Sequence, residues 1–125
     1  MQAARSRIRK DGSVTFVTGG LAARPEKGAV LVTATFGAVE GFAKALAVEW
    51  APLRFNVIRP GLIDSGFWDY LGEEKQRQLM DETIGRIPAG RKGESEDVGR
   101  LAVSLMMNDC VNGQVIEVNG GQSVQ

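Results

Sequence analysis

Two β-rich runs, Ser13-Val14-Thr15-Phe16-Val17-Thr18 and Arg54-Phe55-Asn56-Val57-Ile58, flank a stretch in which Phe36, Val39, Phe42, Ala43, Leu46 and Trp50 recur at three- and four-residue steps. Such steps put the apolar side chains on one stripe of a helix, whereas a strand would need a period of two. A strand, a helix and a second strand in that order bring the strands together in parallel through a right-handed crossover. Gly19-Gly20 ends the first run, Pro52 stops the helix, and Pro60-Gly61 ends the second run. Residues 62–72 then read as an irregular flap holding Phe67, Trp68 and Tyr70 among glycines.

Two more helices are expected before a last strand at 114–118. The first, over 73–85, is polar, with Glu73 and Arg77 in the favourable i,i+4 order. The second is expected to be capped by Ser95, with Glu96 and Asp97 in its first turn and Val98, Leu101, Ala102, Leu105 and Met106 as its core stripe. The fold class is therefore α/β: three parallel strands with flanking helices, in one domain over residues 1–125.

Composition narrows the function classes. Fifteen basic residues balance fifteen acidic ones, so no overall field favours nucleic acid or an anionic membrane. No apolar run approaches the roughly 20 residues of a membrane-spanning helix. A single cysteine, Cys110, cannot form an internal disulfide; at an apolar position before the last strand it is expected to be a small buried hydrophobe. Residues 1–10 carry Arg5, Arg7, Arg9 and Lys10 without an acid, which reads as a basic lead-in to the first strand rather than a transit peptide. The cytoplasm is the expected compartment. The acidic groups Glu73-Glu74 and Glu94, Glu96 and Asp97 lack partners at metal-ligand spacing and read as helix starts. Trp50, Met106 and Met107 are expected to be core or interface filler.

Three segments follow one another along nearly the whole chain: Gly12-Ser13-Val14-Thr15-Phe16-Val17-Thr18-Gly19; Ala38-Val39-Glu40-Gly41-Phe42 leading on to Arg54-Phe55-Asn56-Val57-Ile58-Arg59-Pro60-Gly61; and Gly90-Arg91 leading on to Gly113-Gln114-Val115-Ile116-Glu117-Val118-Asn119-Gly120-Gly121. In that order and spacing they resemble the second half of the short-chain dehydrogenase/reductase family. The resemblance implies the C-terminal half of a Rossmann-like, doubly wound parallel sheet, and NAD or NADP as the cofactor of the lineage. In that family the first half carries a glycine-rich turn that seats a pyrophosphate on a helix N-terminus. Val17-Thr18-Gly19-Gly20 begins like such a turn, but Ala23 and Pro25 stand where further glycines belong, and Pro25 has no N–H to offer a phosphate.

The family moves a hydride with a tyrosine, a lysine one helical turn later, and a serine that orients the carbonyl. Aligned through Ala38-Val39-Glu40-Gly41, the resemblance puts the tyrosine position on Val32, the lysine position on Phe36 and the serine position on Gly19. None of the three can transfer a proton, and losing a general acid costs a factor of about 10²–10⁴. There is no histidine to take over; Thr18, Thr33 and Thr35 titrate far from neutrality, which leaves Tyr70 and Lys44 as the remaining candidates. On the cofactor side, Pro60, Gly61, Ile63 and Ser65 match the family's nicotinamide contacts. The same Pro-Gly also reads as a strand-ending turn with no ligand, because half a pocket offers few of the contacts that bury one. Phe67 and Trp68 line a substrate lid or simply cover apolar surface.

The isolated chain is thus expected to hold no cofactor and no metal, and to lack dehydrogenase activity alone. Two alternatives stay open: the C-terminal half of a split or truncated oxidoreductase completed by a nucleotide-binding half, and a non-catalytic oligomerisation or regulatory module. An uncovered strand edge at 13–18 is an association template. The expected partner is a second copy, through helix 36–50 and the last strand 114–118 that the resemblance implies as association surfaces, and neither nucleic acid nor a membrane.

Overall fold

The structure, a computed structural model, describes residues 2–66, 69 and 72–124. In chain order the elements are α1 (Gln2–Arg5), β1 (Ser13–Val17), α2 (Val30–Glu49), β2 (Arg54–Pro60), β3 (Ile63–Asp64), α3 (Glu73–Ile84), β4 (Gly93–Glu94), α4 (Ser95–Met107) and β5 (Val115–Val118). Short 3-10 turns cover Gly20–Ala22 and Gln122–Val124. Strands β1, β2 and β5 form a parallel sheet with β2 in the centre. A second, two-stranded parallel pair, β3 with β4, ties the flap to the entrance of α4 and had no signature in the sequence.

The central strand is buried continuously from Arg54 to Ile58, as expected for a parallel strand covered on both faces. Its period of two sorts the covers. Phe55 and Val57 join Ala43, Leu46 and Ala47 of α2, and Trp50 just past its end, in one apolar cluster, with the Trp50 and Phe55 rings edge to face at 5.9 Å. Arg54 points the other way, toward α4. Although only 6% exposed, its guanidinium is satisfied, donating to the carbonyls of Leu105 (2.7 Å), Met106 (2.8 Å) and Asn108 (2.9 Å) at the end of α4. Those carbonyls have no intrahelical partner and carry the negative end of the helix dipole, so a cation belongs there. Asn56, fully buried, donates from Nδ2 to Val111 O (2.9 Å) and accepts Gln114 N–H at Oδ1 (3.0 Å), which fixes the entry of β5.

Several expectations need correction. Helix α2 begins at Val30, well before Phe36, after a left-handed turn at Gly28 (φ 87°); its N-cap, Ala29, makes no side-chain cap and so left no signal. Its buried face includes Glu40, while Phe42 is 45% exposed, its ring edge to face with Phe16. Ser95 is not the cap of α4 but its first residue. Glu94 caps the helix, and the Asp97 carboxylate accepts the Glu94 N–H at 2.9 Å in a reciprocal capping box. In α4 Leu105 is buried, but Met106 and Met107 are exposed. Cys110 is exposed on the turn after α4 rather than buried. The basic lead-in packs down in part: Ile8 touches the α2–sheet cluster, and the Arg5 guanidinium lies 5.1 Å from the Trp50 ring centroid.

Helix α2 also corrects the reading of membrane segments. At 20 residues it is long and apolar enough, by length and composition alone, to cross a membrane. In this fold it lies on the sheet with Ala43, Leu46 and Ala47 buried and Glu40 turned inward.

Candidate active site

In an open parallel sheet the ligand crevice lies beyond the carboxyl ends of the strands. Here β1 runs out into Thr18, Gly19 and Gly20, β2 into Pro60 and Gly61, and β5 into Asn119 and Gly120. The ladder continues past β1 through Thr18 N–H to Ile58 O (3.0 Å) and past β2 through Gly61 N–H to Val118 O (2.9 Å), so the three ends stay in register.

The structure brings Gly19 and Phe36 together. A Cβ placed on Gly19 would stand 2.8 Å from Cε2 of the Phe36 ring. Val32, one turn earlier on α2, is 44% exposed. Lys44 is exposed, and Tyr70, Phe67 and Trp68 lie outside the described residues. On the other side of the crevice a Cβ on Gly61 would stand 2.6 Å from Cβ of Asn119 and would also strike Oε1 of Gln122. That Gln122 oxygen accepts the Leu62 N–H at 2.9 Å. The glycine at 61 is therefore required by the returning C-terminal segment, whether or not a ligand is present. Ile63 is only 7% exposed and its side chain packs against Gly93. Ser65 is exposed.

Gly61 and Ile63 are thus held by the packing of the fold itself, Pro60 pairs with Val118 of β5, and the Ser65 hydroxyl stands exposed. Among the described residues at this end of α2, the phenyl ring of Phe36 and the Val32 side chain offer a cofactor no hydrogen bond.

Beneath these positions lies a polar cluster that the sequence reading missed. Glu40, only 9% exposed, accepts from Thr18 Oγ1 (3.1 Å), Arg59 Nε (2.9 Å) and Arg59 Nη2 (2.6 Å). Arg59 Nη1 donates to Glu117 Oε1 (2.7 Å), and Asn119 Nδ2 donates to Glu117 Oε2 (2.9 Å). The Arg59 guanidinium holds the Glu40 carboxyl below its usual range against the opposing effect of burial, and Thr18 adds to the lowering. The Ser123 hydroxyl, then Arg59 and Asn119, do the same for Glu117. Glu40 in turn, then Glu117, push Arg59 upward. Both carboxylates are ionised at neutral pH and have no proton to give. The available signal was a pair of opposite charges, Glu40 and Arg59, at positions the helix stripe and the strand alternation assign to one buried face. Among the described residues no group of three or more His, Cys, Asp or Glu could hold a metal ion.

Residues 1–123 match the family model described as enoyl-(acyl carrier protein) reductase. The chain belongs to the short-chain dehydrogenase/reductase family. Among curated relatives, the 3-oxoacyl-(acyl-carrier-protein) reductase FabG of Aggregatibacter actinomycetemcomitans is 38% identical over 120 residues, covering 92% of this chain and 47% of that one. The crystal structure of a small-chain dehydrogenase in complex with NADPH is 27% identical and superposes with a TM-score of 0.95, covering 99% of this chain and 57% of that one. The NADPH-bound structure of a short chain oxidoreductase from Pseudomonas aeruginosa PAO1, containing an atypical catalytic center, is 30% identical with a TM-score of 0.80, over 97% of this chain and 49% of that one. The short-chain dehydrogenase/reductase fold implied by the three segments is therefore present, in its C-terminal half. The chain spans about half the length of the curated relatives it matches, as in the Aggregatibacter reductase.

Proposed function

We propose that this chain is a short-chain dehydrogenase/reductase domain that has kept the oxidoreductase fold and lost hydride chemistry, and that works in association rather than as a dehydrogenase alone. The contact of Phe36 with Gly19 carries this reading: the serine position has no side chain and the lysine position offers an apolar ring. With Val32 at the tyrosine position, no group there titrates near neutrality. The test is an NADH and NADPH oxidation assay over several carbonyl substrates, with calorimetric titration of both cofactors. The expected result is no turnover, and no binding tighter than about 100 μM, near −5.5 kcal/mol. Turnover by the homogeneous polypeptide would overturn the reading.

A second reading is favoured by one observation, that an NADPH-bound relative with an atypical catalytic center superposes on nearly all of this chain while being about twice as long. There the chain is the C-terminal half of an oxidoreductase whose nucleotide-binding half precedes it or is supplied separately. A polypeptide joining a glycine-rich first half ahead of residue 1 would then bind NADPH by calorimetry; a folded fusion that fails to bind rejects it.

Association is supported by what stays uncovered. Strand β1 is an edge of the sheet, and α2 exposes Val30, Leu31 and Val48. We place a second copy against α2 and β5, as an oligomer in the cytoplasm, with no nucleic acid or membrane partner. Size-exclusion chromatography with light scattering is expected to give a multiple of the 13.4 kDa chain. A monomer at about 100 μM, a concentration at which a micromolar dimer is nearly complete, would reject it.

A further inference from the structure

We infer that Gly19 and Phe36 are one co-adapted exchange: the phenyl ring fills the volume into which any side chain at position 19 would project, so the mouth of the site is plugged by the chain's own helix. Its functional meaning rests on the loss of hydride chemistry proposed above; its test involves no activity. Backbone conformation does not explain the glycine. Gly19 sits at φ −166° and ψ 164°, extended backbone that any residue adopts. Space does explain it: a Cβ there would stand 2.8, 3.3 and 3.5 Å from Cε2, Cζ and Cδ2 of Phe36. These are three atoms of a rigid ring rather than the tip of a flexible side chain. The ring hangs from a half-buried position on α2, where few helix rotamers are open to it.

The neighbouring glycines supply the contrast. A Cβ on Gly20 would lie 3.6 Å from Pro60 O, an ordinary contact, and one on Gly37 would meet nothing within 4 Å. The crowding at Gly19 therefore comes from the Phe36 ring and is not shared by the glycines beside either residue. One consequence is that a serine cannot be put back at 19 without first clearing position 36. The lost hydroxyl and the lost ammonium are then not two independent accidents, since the apolar replacement for one occupies the room of the other.

The test is a double-mutant cycle read by urea unfolding on the full chain: Gly19→Ala, Phe36→Ala and both together, with Gly20→Ala as control. Overpacking against the ring is expected to lower the folding equilibrium constant about tenfold or more in Gly19→Ala. In the Phe36→Ala background the same change is expected to move it by less than about threefold, the size of ordinary non-additivity. Gly20→Ala is expected to stay within that same limit, about threefold. If Phe36→Ala does not fold, Phe36→Leu provides the second background, because its shorter branched chain leaves the ring position empty. Equal penalties for Gly19→Ala in both backgrounds, or no penalty with Phe36 present, would overturn the inference. Cofactor turnover would sink the proposed function and leave the cycle standing, so the two failures are distinguishable.

Discussion

Replacing Arg59 with methionine is expected to cost the fold about 3–5 kcal/mol at neutral pH, the range for removing one partner of a buried ion pair. The side chains of Glu40 and Glu117 are 11% and 25% exposed, and both carboxylates are bonded to the one guanidinium between them. Without it, two anions face each other, Glu40 keeping Thr18 and Glu117 keeping Asn119 and the Ser123 hydroxyl. Lysine at 59 keeps the charge but cannot form the two-point bond to Glu40, and is expected to recover only part of the loss. Urea unfolding of the wild type, Arg59→Met and Arg59→Lys reads the difference directly.

The pH dependence separates this mechanism from simple loss of packing. In the wild type both carboxyls lie below their ordinary value of 4.5. Their contribution is therefore full above about pH 5 and lost as pH falls through the folded values. In Arg59→Met the sign reverses. Burial and mutual repulsion raise the folded values above 4.5, so the variant is least stable at high pH and regains stability as the carboxyls protonate. The gap between wild type and variant should narrow on acidification from pH 7 to pH 4. A constant gap across that range would mean that the carboxylates are not what the arginine serves.

How much of this was legible in the sequence depends on how local each partner is. The β-rich run at 13–18, the strand at 54–58 and the polar helix at 73–85 lie within a residue or two of β1, β2 and α3, because period and terminators are local signals. The first turns of α2 were not legible, since Ala29 caps nothing and Gly28 alone marks the turn. Nor was the inward turn of Glu40. The stripe puts position 40 on the buried face, but a carboxylate is accepted there only with a cation, and Arg59 lies 19 positions later on another element. The resemblance puts the serine, tyrosine and lysine positions on 19, 32 and 36, but spacing says nothing about where a ring points, and only the packing of α2 lays Phe36 over Gly19. In the same way the resemblance implies a cofactor-side turn at Pro60-Gly61, while the reason position 61 must be glycine, the approach of Asn119 and Gln122, comes from the far end of the chain.

The second arginine of β2 should behave differently, because its buried partners are backbone carbonyls, which do not titrate. Arg54→Met is expected to cost about 3–5 kcal/mol, since hydrogen bonds to a charged donor contribute roughly 1.5–3 kcal/mol each and do not sum fully. The residue is buried against the end of α4, and the carbonyls of Leu105, Met106 and Asn108 would lose their charged donor, that of Leu105 at a buried site. The accompanying ion pair with Asp109, at 3.3 Å, contributes little because the aspartate side chain is 93% exposed. Asp109→Ala is accordingly expected to change stability by less than about 0.5 kcal/mol. Hydrogen exchange should quicken at Val111 and Gly113, whose N–H groups bond to Asn108 O and Phe55 O in the turn that Arg54 holds. Alternation along a single strand thus points Arg54 at backbone carbonyls and Arg59 at carboxylates on the opposite face. The penalty at 54 should stay flat from pH 4 to pH 8, and the penalty at 59 should fade in acid. Two profiles of the same shape would show that at least one arginine has been given the wrong partner.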